Sequence, residues 1–116
     1  MGFKVILEEY KEIAAGTVTQ PATQAVDLGQ YREVAVVYDV ASVATDTATL
    51  KLQTAIEPFE GSFVDVSGSS TTYTTAESGR KMLYVNAYAR YLRWKKEQTT
   101  GTIKLNRIEL YAKEPA

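Results

Sequence analysis

Alternating hydrophobic and polar residues predict β-strands along most of the chain. Residues 31–43 are rich in β-branched and aromatic types, which suit a pleated, half-buried surface. Four apolar residues of this segment share one parity and are expected to face the core: Val34, Val36, Tyr38 and Val40. Residues 49–56 alternate in the same way, with Leu50, Leu52 and Ile56 expected inward and Lys51 and Gln53 outward.

Shorter strands are predicted at 62–66, 81–85 and 90–95, and a longer one at 102–112 after a turn at Gly101. Leu92 and Trp94 are expected inward. The Ser/Thr/Gly-rich stretch 67–79 predicts a long mobile loop or an edge, with a strand only at 71–75. In the last strand the apolar parity slips by one residue near Asn106, which predicts a β-bulge.

The first segment fits two patterns. Phe3, Ile6, Leu7, Tyr10 and Ala14 have helical spacing, whereas the alternation of apolar residues over 3–7 fits a strand. We favour the strand, because the last strand of a sandwich needs a partner. The predicted organisation is a single domain, with an N-terminal segment or arm and first strand at 1–25 and a sandwich at 26–116. About eight short strands separated by turns predict an all-β, antiparallel β-sandwich of the jelly-roll type.

Composition excludes several chemistries. The 116 residues include no cysteine and no histidine, so the chain alone provides no disulfide scaffold, thiolate nucleophile, zinc site or histidine-based triad. Glu8 and Glu9 interrupt the only apolar run near the N-terminus, and no stretch approaches a membrane span. We therefore expect a protein made in the cytoplasm without a signal peptide, and no membrane partner.

The charge is close to balanced, at −1, but six basic residues and no acid lie between positions 80 and 96. Such a stripe with interleaved tyrosines is one way to bind nucleic acid. The alternative, which we favour, is that these side chains lie on solvent faces of strands and meet acids from elsewhere. Proteins that bind nucleic acid through charge are usually basic overall, so we expect no nucleic-acid partner.

The second half of the chain resembles a known family. The segments ARYLRW (89–94) and IKLNRIELY (103–111) resemble the closing strands of discoidin-type, galactose-binding-like jelly rolls. Upstream, VDLGQYREV (26–34), LKLQT (50–54) and FVDV (63–66) resemble a compact variant found among small bacteriophage particle proteins. The resemblance covers roughly residues 26 to 113. Phe63 stands where relatives often have tryptophan, and the disulfide of discoidin domains is missing.

The resemblance implies a non-enzymatic structural protein of the virion. The specific expectation is a capsid decoration (cement) protein that binds the major capsid protein or another virion protein, as a homo-oligomer with a trimer favoured. The alternatives are a phage tail, baseplate or neck component and a carbohydrate-binding module. No cofactor is expected, and no catalytic or metal-ligating residue is assigned. Glu57, Glu60 and Asp65 are close in sequence, but turn carboxylates are common and a small sandwich has little room for a cleft.

Two sets of residues are candidates for binding. Large amphipathic or apolar side chains are favoured at protein interfaces, and the chain has eight tyrosines. The candidate partner-binding residues are Phe3, Ile6, Leu7, Tyr84, Tyr88 and Tyr91, and we expect the acidic N-terminal segment to reach a neighbouring subunit. The candidate ligand-binding loop residues, chosen for carbohydrate recognition, are Asp46, Phe59, Tyr73 and Arg80.

Overall fold

Two antiparallel sheets pack face to face across a hydrophobic core. This is seen in the computed structural model, which describes residues 3–29, 31, 33–86 and 88–113. Two short 3-10 turns lie at Ala22–Gln24 and Glu60–Ser62. In chain order the strands are β1 (Phe3–Ile13), β2 (Val18–Thr19), β3 (Val26–Asp27), β4 (Glu33–Val43), β5 (Ala48–Ala55), β6 (Val64–Asp65), β7 (Thr71–Tyr73), β8 (Gly79–Val85), β9 (Tyr91–Glu97) and β10 (Ile103–Lys113).

The strand order defines the two layers of the sandwich. The four-stranded sheet has the order β1-β10-β4-β8, and the six-stranded sheet has the order β2-β9-β5-β6, with β3 pairing with β9 and β7 with β5. The predicted fold class, an all-β antiparallel sandwich, is confirmed. The described ranges contain ten strands rather than about eight, and the two that the sequence pattern did not predict are the two-residue strands β2 and β3. None of the helical turns in the described ranges has the length and apolar character of a membrane-crossing helix.

The side chains that the sequence predicts to point inward form the core of the sandwich. The four apolar residues of β4 are at most 2% exposed, and Leu92 and Trp94 on β9 are at most 1% exposed. Ile56 is the exception: it was expected inward but is 77% exposed. Strand β5 ends at Ala55, so the alternation that placed Ile56 in the core no longer applies to it.

The first segment is a strand, as favoured, but it is not an arm that leaves the domain. β1 pairs with β10 from Phe3 opposite Ala112 to Ile13 opposite Ile103. Leu7 and Ile13 enter the hydrophobic core. The bulge predicted near Asn106 is confirmed, because the β10–β4 register shifts between Leu105 and Arg107.

The Ser/Thr/Gly-rich stretch 67–79 is an edge of the sandwich that two buried polar side chains hold in place. Tyr73 is fully buried, and its one hydroxyl hydrogen is shared between the carbonyl oxygens of Tyr38 at 3.0 Å and Gly79 at 2.9 Å. The Tyr38 hydroxyl in turn donates to the Ser69 carbonyl at 2.8 Å. These bonds satisfy groups that would otherwise be buried without partners, and they join the two sheets.

Candidate functional site

The outer face of the four-stranded sheet exposes a group of large apolar side chains. The register places Lys4, Tyr111, Ala35 and Tyr84 in one row across the sheet, and Ile6, Glu109, Val37 and Met82 in the next. Four of these side chains are largely accessible: Tyr84 at 79%, Met82 at 53%, Ile6 at 44% and Tyr111 at 40%. We call these four residues the outer patch.

The outer patch follows from alternation in three strands. In β8 every second residue points outward, so Met82 and Tyr84 are exposed while Leu83 packs against the core. On the same face the central strand β4 carries the smaller residues Ala35, which is half-buried, and Val37, which is buried. The result is a sheet face on which four large apolar side chains are exposed, with Lys4 and Glu109 lying among them.

A buried carboxylate lies among the exposed apolar side chains of this face. Glu109 is only 1% exposed, and it accepts a hydrogen bond from the Tyr111 hydroxyl and pairs with the Lys4 ammonium at 3.2 Å. Arg80 and Arg107 lie farther away, each at 3.8 Å. The hydrogen bond from Tyr111, supported by Lys4, lowers the pKa of the Glu109 carboxyl although burial opposes ionisation. Glu109 therefore stays charged at neutral pH and holds Tyr111 in position.

A polar row borders the outer patch on one side. Arg107, Asp39 and Arg80 occupy neighbouring register positions on β10, β4 and β8. Asp39 pairs with Arg80 at 3.6 Å and accepts a hydrogen bond from the Asn106 amide at 3.2 Å. An apolar centre beside a polar border is the arrangement found at protein interfaces.

The outer face of the six-stranded sheet differs, because a loop and a charge network cover it. Arg93 is 4% exposed; its guanidinium donates to Glu60 at 2.8 Å, to the Gln20 carbonyl at 3.0 Å and to Gln53 at 3.0 Å. The Phe63 ring lies 4.2 Å from the guanidinium carbon. The Glu60–Phe63 turn is thus fixed over the sheet, and the Nε and Nη1 groups of Arg93 are used in holding it there.

A shallow apolar groove of about 490 Å³ lies at the end of β5. Ala55, Ile56, Val64 and Ala89 provide much of its lining. Ile56 and Val64 are 77% and 63% exposed. The groove is open and carries Glu57 as its charged residue, so it presents few of the convergent polar groups that fix a small ligand.

The partner-binding candidates separate into different environments. Ile6 and Tyr84 belong to the outer patch, whereas Leu7 is a core residue at 8% exposure and is unavailable to a partner. Tyr91 lies beside the Arg90 guanidinium, whose carbon is 5.2 Å from the ring centre, on the opposite sheet. Tyr88 packs against the core and donates to the Tyr31 carbonyl at 3.0 Å. The side chain of Phe3 lies outside the described part of the structure.

The four ligand-loop candidates do not form one site. Tyr73 is buried between the sheets, so its assignment to an exposed loop was wrong. Arg80 lies on the outer face of the four-stranded sheet, and Phe59 is 63% exposed in the loop after β5. Asp46 caps its own turn by accepting a hydrogen bond from the Thr47 amide at 2.9 Å.

The six basic residues between positions 80 and 96 contact acidic or carbonyl groups of the protein, which agrees with the alternative that we favoured from the sequence. Five of the six side chains form ion pairs with carboxylates: Arg80 with Asp39, Lys81 with Glu77, Arg90 with Asp27, Arg93 with Glu60, and Lys95 with Glu97. The sixth, Lys96, is fully buried and donates to the carbonyl oxygens of Ala14 and Gly16. Of the three carboxylates that are close in sequence, Glu57, Glu60 and Asp65, the last two also form ion pairs: Glu60 with Arg93 and Asp65 with Lys51.

Sequence reasoning missed three residues of the outer face: Met82, Tyr111 and Glu109. Met82 and Tyr111 fall on outward parities of predicted strands, so the alternation pattern contained their signal. Met82 and Tyr111 share a face with Ile6 because β1 pairs with β10. The pattern of residues within one strand does not show which strand it pairs with. Glu109 was not recognisable as buried, because its neighbours on the sheet come from distant segments.

Comparisons with known proteins leave the family open. No protein-family model matches the chain, and no curated protein matches it. One similar solved structure is described as "BiXyn10A CBM1 APO"; it has 8% sequence identity and a TM-score of 0.47 over 93% of this chain and 95% of its own. A likeness at this level carries no argument about function.

Proposed function

We propose that this protein is a non-enzymatic structural component of a virus particle, a capsid decoration protein that binds shell subunits through the outer patch. The observation that supports the proposal is the exposure of Ile6, Met82, Tyr84 and Tyr111 on one sheet face. Contiguous exposed apolar side chains with a polar border are typical of protein-interaction surfaces.

The energetics of such a face suit a protein partner. Burial of an exposed tyrosine or methionine contributes roughly 1–2 kcal/mol, since transfer of apolar area from water is favourable. Tyr84 and Tyr111 also lose little rotamer freedom on binding because each has two side-chain torsions. A decoration protein that uses this face would add interface area across joints of the shell and would raise the free energy needed to open them.

The charge of Glu109 does not oppose an apolar contact with a partner. Its carboxylate is already paired with Lys4 and Tyr111, so an approaching partner buries no unpaired charge there. A flat aliphatic or aromatic surface on the shell therefore fits the outer patch better than a strongly charged one does.

The test uses particles of the virus whose genome encodes this chain, with the gene for this chain deleted. Purified wild-type protein is added back, the particles are sedimented, and bound protein is quantified. The temperature at which the shell releases its genome is measured with a nucleic-acid dye. We expect saturable binding and a higher release temperature.

Matched variants show whether the outer patch is the binding surface. Tyr84→Ser should weaken binding by roughly 10- to 30-fold, as expected for an exposed aromatic contact at an interface centre. Ile56→Ser changes an equally exposed apolar residue, at 77%, on the loop after β5 and should bind as the wild type does. No binding by the wild-type protein, or equal binding by both variants, would contradict the proposal.

A further inference from the structure

Strand β8 forms one edge of the four-stranded sheet and leaves half of its backbone groups unpaired. It pairs with β4 from Val85 opposite Val34 to Gly79 opposite Val40. Within the described ranges no strand pairs with its other side. An unpaired row of backbone N–H and C=O groups is a template for pairing with another strand.

The sequence of β8 is self-complementary when two copies run antiparallel. If Met82 lies opposite the partner's Met82, then Arg80 lies opposite the partner's Tyr84 and all seven residues of the strand are paired. Arg80, Met82 and Tyr84 share the outer face. The two methionines then meet at the centre, and an arginine lies beside a tyrosine ring at each end, which is a favourable cation–π arrangement.

The charges of β8 distinguish this register from one of its neighbours. Moving the centre by one residue to Lys81 would place two lysines directly opposite each other, which destabilises a strand pair. In the register centred on Met82, Lys81 lies opposite the partner's Leu83, and no two cations face each other.

We propose that β8 pairs antiparallel with β8 of a second copy of this chain, centred on Met82, and joins two four-stranded sheets into one of eight strands. The side chains that would meet are accessible, at 53% for Met82 and 79% for Tyr84. Arg80 is free to turn toward the partner, because its contacts with Asp39 and Glu109 are long, at 3.6 and 3.8 Å. This inference does not rest on the proposed function.

Cysteine cross-linking tests the register in the purified protein, without any particle. The chain has no cysteine, so a single introduced cysteine reports only on contact between copies. Opposed residues of antiparallel strands have Cα atoms about 4.5–5.5 Å apart, within disulfide range. Met82→Cys should therefore form a covalent dimer under mild oxidation.

Tyr84→Cys is the matched control, because in this register it lies four positions from its own copy. That offset is about 13 Å along the strand, beyond the ~7 Å that a disulfide spans. The double variant Arg80→Cys, Tyr84→Cys should cross-link again, since those two positions oppose each other. Cross-linking of Tyr84→Cys at the rate of Met82→Cys, or no cross-linking of Met82→Cys, would overturn the proposal.

Light scattering of charge variants provides a second test. The wild type should approach twice its 12.8 kDa mass as concentration rises. Tyr84→Lys places a lysine opposite the partner's Arg80 and should raise the dissociation constant about tenfold or more. Tyr84→Glu places a carboxylate there and should keep the dimer. Equal loss in both variants would refute pairing in this register, and Ile56→Lys should dimerise as the wild type does.

Discussion

Replacing Gly101 with alanine should destabilise the fold much more than the same replacement at Gly68. Both glycines have positive φ, +90° at Gly101 and +77° at Gly68, a region that costs an L-residue about 1–2 kcal/mol. At Gly68 an added Cβ meets nothing within 4 Å. At Gly101 it would lie 2.0 Å from the Ala44 carbonyl oxygen and 2.7 Å from Thr45 Cβ.

The clash at Gly101 is with backbone, so a side-chain rotation does not relieve it. The hairpin between β9 and β10 and the turn after β4 would have to move apart, at a cost of about 1–3 kcal/mol beyond the torsional strain. A net loss of about 3 kcal/mol is expected for Gly101→Ala and about 1 kcal/mol for Gly68→Ala. The larger loss is a substantial share of the roughly 6–17 kcal/mol typical of a domain of this size.

Urea unfolding monitored by tryptophan fluorescence measures the difference, since Trp94 is buried in the core. The slope of free energy against urea should be the same for the wild type and both variants, with only the midpoint shifted. Equal midpoints for Gly101→Ala and Gly68→Ala would refute the argument that close backbone approach, and not φ alone, requires glycine at position 101.

Three further outcomes follow from the packing and the charges. Deletion of residues 1–13 should abolish cooperative unfolding, because β1 adds Leu7 and Ile13 to the core and covers β10; a cooperative urea transition in the truncated protein would contradict this. Tyr38→Phe should cost about 1–3 kcal/mol, because it leaves the buried Ser69 carbonyl without its donor, and an unchanged urea midpoint would contradict this. The pKa values of Asp65 and Glu109 are lowered in the folded state, by the Gln53 amide and the Tyr111 hydroxyl first. The two ionised carboxylates therefore stabilise the folded state above their unfolded-state pKa values, and this contribution is lost as pH falls through the folded-state values. The urea midpoint should decline below about pH 4.5. A constant midpoint down to pH 3 would contradict this.

Local alternation was sufficient to predict most of the sandwich. The buried faces of β4, β5 and β9 follow from the alternation of apolar and polar residues within each strand. The bulge near Asn106 is also visible in the sequence, as a one-residue shift in that alternation. These features depend on which face of one strand is buried, and that information is local.

Features that depend on contacts between distant segments were not predictable in this way. Arg93 has an outward parity, but it is buried because the Glu60–Phe63 turn covers it. Tyr73 lies in a stretch without apolar neighbours, and its burial depends on two carbonyl acceptors from Tyr38 and Gly79. The outer patch likewise appears only when β1 and β8 take the two edges of one sheet.

The central claim, that the outer patch is the surface through which this protein binds its particle, is tested most directly by imaging the bound protein. Electron cryo-microscopy of particles saturated with the added protein would show which sheet faces the shell. We predict that the four-stranded sheet faces it, with Tyr84 and Met82 in contact with a shell subunit. A reconstruction in which the six-stranded sheet or the loop around Phe59 makes the contact would contradict the claim.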